Sequence, residues 1–186
     1  MKQKIVIVTG ATSGLGYATA KKFCQAGHIC YVLGRNPEKT RKTCKELGPQ
    51  ARELVLDLSR LEDIPGAVRQ VQEAAGRIDV LVNAAGVIGA PGWEDSPTAR
   101  EVDWDITFDV NVKGTVLASR AVAEHMKERG SGKIINVSSG FGLRGGRDNY
   151  MYACAKGGTI QLTRTLATSL GRYGVSSNCI VPGIFL

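Results

Sequence analysis

With 186 residues, 43% of them apolar and 22% charged, the chain has the size of one domain able to bury roughly 70% of its unfolded surface. No apolar run approaches the roughly 20 residues of a membrane span, and the run after MKQK is too short for a signal-peptide core, so no membrane partner and a cytoplasmic location are expected. The net charge of +7 is spread through KKF, RKTCK and KER among acidic residues with no nucleic-acid motif beside them, which reads as solvated helix faces and speaks against a nucleic-acid partner.

Apolar runs suited to buried strands alternate with amphipathic stretches along the whole chain. Strand one is predicted over Ile5–Val8 and a helix from Leu15 to Ala26, ended by Gly27. Strand two is Ile29–Leu33, and a second helix starts at Asn36-Pro37, with Asn as N-cap and Pro at the first helical position. Strand three is Glu53–Leu56, after which Ser59 to Glu62 (SRLE) reads as a capping box opening another helix. Strand four, Asp79–Val82, runs into NAAG and a Gly- and Pro-rich loop over 87–97. A long helical region follows and ends near Gly130. Strand five is Lys133–Val137, a helix covers Tyr152–Arg172, and strand six is Ser177–Val181. Such alternation builds βαβ units, and therefore a doubly wound α/β fold with a parallel sheet and helices on both faces.

The cysteines (Cys24, Cys30, Cys44, Cys154, Cys179) are odd in number and lack CxxC spacing, which argues against a disulfide framework or a zinc site. With only His28 and His125, a histidine-based triad or metal centre is poorly supplied. No metal is expected.

The turn TGATSGLG, Thr9 to Gly16, lies directly between strand one and the first helix. Free backbone N–H groups and the helix dipole favour a pyrophosphate there. Gly10, Gly14 and Gly16 allow the tight turn, the close approach of phosphate and close helix–strand packing, and Thr12, Ser13 and Leu15 share the cradle. At the end of strand two, where an adenine ribose would lie, NAD sites place an acid and NADP sites favour Arg. The chain has Leu33-Gly34-Arg35-Asn36, with no acid, so Arg35 and Asn36 point to NADP(H). Asp57-Leu58 after strand three and Asn83-Ala84-Ala85-Gly86 after strand four complete the cofactor-binding set at the carboxyl ends of the strands.

Tyr152 and Lys156 are four apart at a helix start and share a face. A free tyrosine has a pKa of about 10. A neighbouring ammonium and a positive nicotinamide ring are expected to lower it, so that Tyr152 exchanges a proton while hydride moves. Ser139, thirteen residues before the tyrosine, is placed to polarise a carbonyl oxygen. Ser138 and Tyr150 are the competing serine and tyrosine, but only Tyr152 has a lysine at the needed spacing, and Lys113 reads as a surface residue.

TGATSGLG, NAAG, Asn111 in FDVNVKG, Ser139 in INVSSGFG, YACAK and Pro182-Gly183 resemble the ordered motifs of the short-chain dehydrogenase/reductase family over nearly the whole chain. The resemblance implies a tetrad of Asn111, Ser139, Tyr152 and Lys156, and selects Ser139 over Ser138. Asn111 would fix a water linking Lys156 to solvent, Tyr152 and Lys156 would also touch the nicotinamide ribose, and Pro182, Gly183 and Ile184 would lie beside the nicotinamide. It further implies a small-molecule carbonyl or alcohol substrate, as in 3-oxoacyl-carrier-protein reductases or sugar and polyol dehydrogenases. Segments 140–149 and 87–94 are the candidates to line that pocket.

A homo-oligomer, dimer or tetramer, is also implied, built on the helices Trp104–Arg129 and Tyr152–Arg172 with Phe108, Leu162, Leu166 and Leu170 as apolar surface. NAAG replaces the commoner NNAG, a small-residue change. Family members continue past the PG pair with a substrate-covering segment and a final strand, whereas here Leu186 follows three residues after Gly183. A single domain over 1–186 is therefore expected with six strands and without the family's last one, strand six forming an edge. The readings set against an enzyme are a non-catalytic NADP-binding regulatory or assembly module, and an inactive fragment.

Overall fold

The computed structural model describes residues 2–95 and 99–183. Six parallel strands form one sheet in the order β3-β2-β1-β4-β5-β6. Their ranges are β1 Ile5–Thr9, β2 Ile29–Gly34, β3 Ala51–Val55, β4 Val80–Asn83, β5 Gly132–Val137 and β6 Val175–Ile180. The helices between them are α1 Gly14–Gln25, α2 Pro37–Leu47, α3 Ile64–Ala75, α4 Glu101–Phe108, α5 Thr115–Glu128, a single turn α6 Phe141–Arg144, and α7 Tyr150–Leu170. This is the doubly wound α/β fold expected from the alternation.

The central strand shows why. All of IVIVT in β1 is buried, as β-branched residues covered on both faces of a parallel sheet require. Successive side chains point to opposite faces. Ile5 and Ile7 enter a core with Ile64, Val68 and Val71 of α3, Val122 and Met126 of α5, and Leu166 and Leu170 of α7. Val6 and Val8 enter the other core with Ala20 and Cys24 of α1 and Cys44 of α2. Asp79 ties the amino end of the sheet together: its carboxylate accepts from the Ile5 N–H at 2.8 Å, from Arg77 Nε at 3.0 Å and from Arg129 Nη2 at 2.9 Å. No helix among the described residues is long and apolar enough to cross a membrane.

Several local expectations are corrected. The SRLE segment does not form a capping box. Asp57 Oδ1 takes both the Ser59 N–H (3.0 Å) and the Ser59 hydroxyl (2.8 Å), and the chain enters α3 through a 3₁₀ turn at Leu61–Asp63. The long helical region is interrupted by a π-helical turn, Asp109–Gly114, between α4 and α5. Leu166 and Leu170 cannot supply an interface, because both face the sheet and are under 8% exposed. Asn36 behaves as expected: its Oδ1 accepts from Lys39 N at 2.9 Å and caps α2. β6 is an edge of this sheet, with Ile180 53% exposed.

The strand order reverses between β1 and β4, with β2 and β3 to one side and β5 and β6 to the other. A crevice opens at the carboxyl ends at such a switch point, where ligands of open α/β sheets bind.

Candidate active site

That crevice is a cleft of about 710 Å³. Its walls include Gly10, Thr12, Ser13, Gly14, Leu15 and Gly16 from the first turn, Arg35 and Asn36 after β2, Asp57 and Leu58 after β3, and Ala84, Ala85 and Gly86 after β4. Ser139, Tyr152, Lys156, Pro182 and Gly183 close its other end. Phosphate-cradle and proton-transfer candidates, far apart in sequence, thus share one cavity. Ile184 lies outside the described residues.

The cradle is shaped by backbone proximity. Gly10 has φ +64°, and a Cβ there would lie 2.7 Å from the Ala85 Cα. Gly14 has φ +51°, with no atom within 4 Å of the Cβ it lacks. Thr9, buried at the end of β1, holds the opposite wall: its Oγ1 accepts from the N–H groups of Ala84 (3.1 Å) and Ala85 (3.0 Å). A strand terminus, a left-handed turn and a helix start converge there, leaving a surface suited to an extended dinucleotide diphosphate.

Asn83 is the member of the expected set that the fold turns away. It shares a strand face with Leu81, which lies in the core under α3 and α5. Its Nδ2 donates to Asn136 Oδ1 at 2.8 Å and Ser119 Oγ at 3.1 Å, so it braces β4 against β5 and α5 and does not line the cleft. Asn111, 1% exposed, sits behind the wall in the π-helical turn. Its Oδ1 accepts from Val87 N at 2.9 Å and its Nδ2 donates to Val87 O at 2.7 Å. A Cβ on Gly86 would lie 3.2 Å from both Asn111 Oδ1 and Lys156 Nζ, so the amide and the lysine flank that glycine.

The two serines separate cleanly. Ser138 Oγ donates to the Lys156 carbonyl at 2.7 Å and pins α7 to the end of β5. Ser139 Oγ instead accepts from Phe141 N at 3.3 Å and lines the cleft together with Tyr152. The turn that carries it is held by the edge strand: Ser138 N donates to Ile180 O at 2.8 Å and Gly140 N to Pro182 O at 2.9 Å. Tyr150 stays outside, 66% exposed, and Lys113 pairs with Asp109 at 2.7 Å on the surface.

Burial governs the titration of Lys156 and Tyr152. Desolvation pulls the Lys156 ammonium down to about 8, the negative potential of Cys179 working against it. The Lys156 Nζ donates to the Val137 carbonyl at 2.9 Å and lies 5.6 Å from the Tyr152 ring centre. Burial also holds the Tyr152 phenol above its ordinary value, with the Ser139 side chain opposing the rise. The expectation that Lys156 lowers Tyr152 is therefore corrected. In the cofactor-free protein, without the nicotinamide's positive ring, desolvation outweighs every lowering influence on the phenol.

Among the lining residues, Lys39, Leu56, Val110 and Val137 were not in the expected set. Lys39 lines the cleft one helical turn beyond Arg35; its spacing from Arg35 in RNPEK was the available signal. Thr9, the first residue of the expected glycine turn, holds the opposite wall through its hydroxyl.

The family model for the short chain dehydrogenases matches residues 4–186. The chain belongs to the short-chain dehydrogenase/reductase family. It is an oxidoreductase of that type, acting on alcohol or carbonyl groups. Among its relatives is a (2S)-[(R)-hydroxy(phenyl)methyl]succinyl-CoA dehydrogenase subunit of Thauera aromatica, 37% identical over 187 residues that cover 99% of this chain and 74% of the relative. An NAD⁺-bound xylitol dehydrogenase superposes with a TM-score of 0.88 at 33% identity, covering 97% of this chain and 70% of that one. A metagenomic short-chain oxidoreductase in complex with NADP also gives 0.88 at 33% identity, covering 98% and 83%.

Proposed function

We propose that this short-chain dehydrogenase/reductase transfers a hydride between NADP(H) and a small-molecule carbonyl or secondary alcohol, with Tyr152 as general acid or base. The observation that carries the reading is the meeting of the glycine turn, Arg35 and the Ser139–Tyr152–Lys156 group in one cleft. The cradle fits a dinucleotide, since a Cβ at Gly10 would collide with the wall a diphosphate must pass. NADP(H), when bound, supplies or accepts the hydride.

Arg35 and Lys39 supply the two cations at the cleft end where a 2′-phosphate would lie. Solved relatives carry either NAD⁺ or NADP, so the preference rests on these side chains. At the other end the Ser139 hydroxyl steadies the substrate oxygen, and Tyr152 gives it a proton in reduction or takes one in oxidation. A phenol held high by burial is protonated at neutral pH, which suits the reductive direction. Lys156, with its depressed value, can reload it, and Asn111 keeps the Gly86–Val87 segment against that lysine.

Relatives named for a hydroxyacyl-CoA and for xylitol mark two substrate classes to screen, acyl thioesters and polyols. The exposed apolar side of α4, with Val102 and the Trp104–Phe108 stack at 5.8 Å, supports a homo-oligomer, to be read by light scattering.

The deciding experiment is Tyr152→Phe. Turnover should fall by about 10²–10⁴ while NADPH binding, followed by cofactor fluorescence, persists. Parent protein that binds NADPH but reduces no carbonyl across both classes would favour a binding module without turnover.

A further inference from the structure

Three side chains spaced four residues apart hold the backbone of the segment that follows Gly86. Asn111 engages both polar groups of Val87. Thr107 Oγ1 donates to the Ile88 carbonyl at 3.0 Å. Asp103 Oδ1 accepts from Ala90 N at 3.0 Å. Residues four apart stack along one helix face, and each of these three is at most 1% exposed. The face of α4 and the turn after it therefore read the loop residue by residue, like a ladder.

The ladder is braced at its Ala90 end. Arg100 grips Asp103 with Nε on Oδ2 and Nη2 on Oδ1, each at 2.9 Å, and its Nη2 also reaches Pro91 O at 3.4 Å. Trp93 packs on Gly89 so closely that a Cβ there would lie 2.6 Å from the Trp93 Cβ. Val87 and Ile88, the first two residues held, line the cleft, and Ile88 remains 38% exposed. A threonine inside a short helix is a poor local choice, because its branched side chain loses rotamer freedom there. The bond to Ile88 gives it a reason to be at that position. An apolar residue in its place would leave the Ile88 carbonyl without that donor.

We propose that Thr107 and Asp103 are positioning residues for the reaction, acting through the backbone of Ile88 and Ala90 to fix Ile88 as an apolar wall against the substituent of the substrate carbonyl. This rests on the reading that the carbonyl lies between Ser139 and Tyr152. It favours substrates with an apolar group on the carbonyl carbon, discriminated by how that group meets a wall that cannot yield.

The test uses the full chain as Thr107→Val, isosteric but without the hydroxyl, and Thr107→Ser, which keeps it. Hydrogen–deuterium exchange should show the 86–92 segment exchanging about fivefold faster in Thr107→Val and unchanged in Thr107→Ser, with the sheet unaltered in both. In kinetics with NADPH, kcat/KM for ketones with a bulky apolar substituent should fall about tenfold in Thr107→Val, mostly through KM. A methyl ketone and the NADPH affinity should be unaffected, and Thr107→Ser should match the parent.

Unchanged exchange at 86–92 in Thr107→Val overturns the proposal. So does an equal loss for all ketones together with weaker NADPH binding, which marks a general structural defect. A parent that reduces no carbonyl defeats the redox reading instead, and the exchange result then decides the ladder by itself.

Discussion

Gly10→Ala and Gly14→Ala should separate the architecture of the cradle from its use. Both glycines have left-handed backbones, φ +64° and +51°, a conformation that costs an L-residue about 1–2 kcal/mol. They differ in what a methyl would meet. At Gly10 it would lie 2.7 Å from the Ala85 Cα and 3.0 Å from the Ala85 nitrogen, and that nitrogen is tethered to Thr9 Oγ1 at 3.0 Å. The obstruction is anchored backbone, so overpacking adds about 1–3 kcal/mol. Gly10→Ala should therefore lose about 2–5 kcal/mol and Gly14→Ala only about 1–2 kcal/mol. For a chain of this length each kcal/mol corresponds to about 2–4 °C in Tm. The assay is thermal and urea unfolding of both variants beside the parent, followed by NADPH titration of whichever stays folded. Gly14→Ala should remain folded yet bind NADPH about tenfold more weakly, because its methyl projects beside the phosphate path. Equal destabilisation of the two variants would refute the steric argument. Full NADPH affinity in Gly14→Ala would refute the placement of the diphosphate.

Other outcomes follow from the charged groups. Arg35→Ala should weaken NADPH binding about ten- to a hundredfold and leave NADH unaffected, with a smaller loss for Lys39→Ala; unchanged NADPH affinity in Arg35→Ala removes the basis for the NADP preference. Burial pushes the Asp79 carboxyl up, but the Ile5 N–H, Arg129 and Arg77 outweigh it and hold it below the usual carboxylate range. Its stabilisation is therefore complete above the unfolded value of about 4 and disappears as pH falls through the lower folded value. Asp79→Asn should cost about 2–3 kcal/mol at pH 7 and progressively less in acid; a constant difference in urea unfolding across pH would refute the linkage. In an ultraviolet difference titration against Tyr152→Phe, the Tyr152 phenol of the cofactor-free protein should ionise above the ordinary value of about 10, and oxidised NADP should move it down. A cofactor-free value under 10 would show that Lys156, not burial, dominates.

The strands were legible because a parallel sheet buried on both faces writes itself as continuous apolar runs, such as IVIVT in β1. The glycine turn was legible from its place between a strand and a helix, and Tyr152 and Lys156 from their spacing of four, whereas the choice of Ser139 over Ser138 came from the family resemblance. What sequence could not supply was direction. Asn83 belongs to a motif next to the cleft, yet strand alternation sends it inward with Leu81. Leu166 and Leu170 are apolar residues of an outer-layer helix, but they continue the inward face of Thr159 and Thr163. Ser59 has the spacing of a cap, and Asp57 captures it first. The sign of the Tyr152 shift depended on how deeply the fold buries the phenol, which the spacing of the motif does not carry.

The turn bearing Ser139 hangs by two backbone bonds from the end of β6 and the segment just after it, Ser138 N to Ile180 O at 2.8 Å and Gly140 N to Pro182 O at 2.9 Å. An edge strand has one neighbour and frays before the centre of a sheet. The Ser139 hydroxyl therefore shares the local stability of the sheet's rim, while the glycine turn shares that of the central strand. On warming, hydrogen exchange around Ser138–Gly140 should rise before exchange in the helices does.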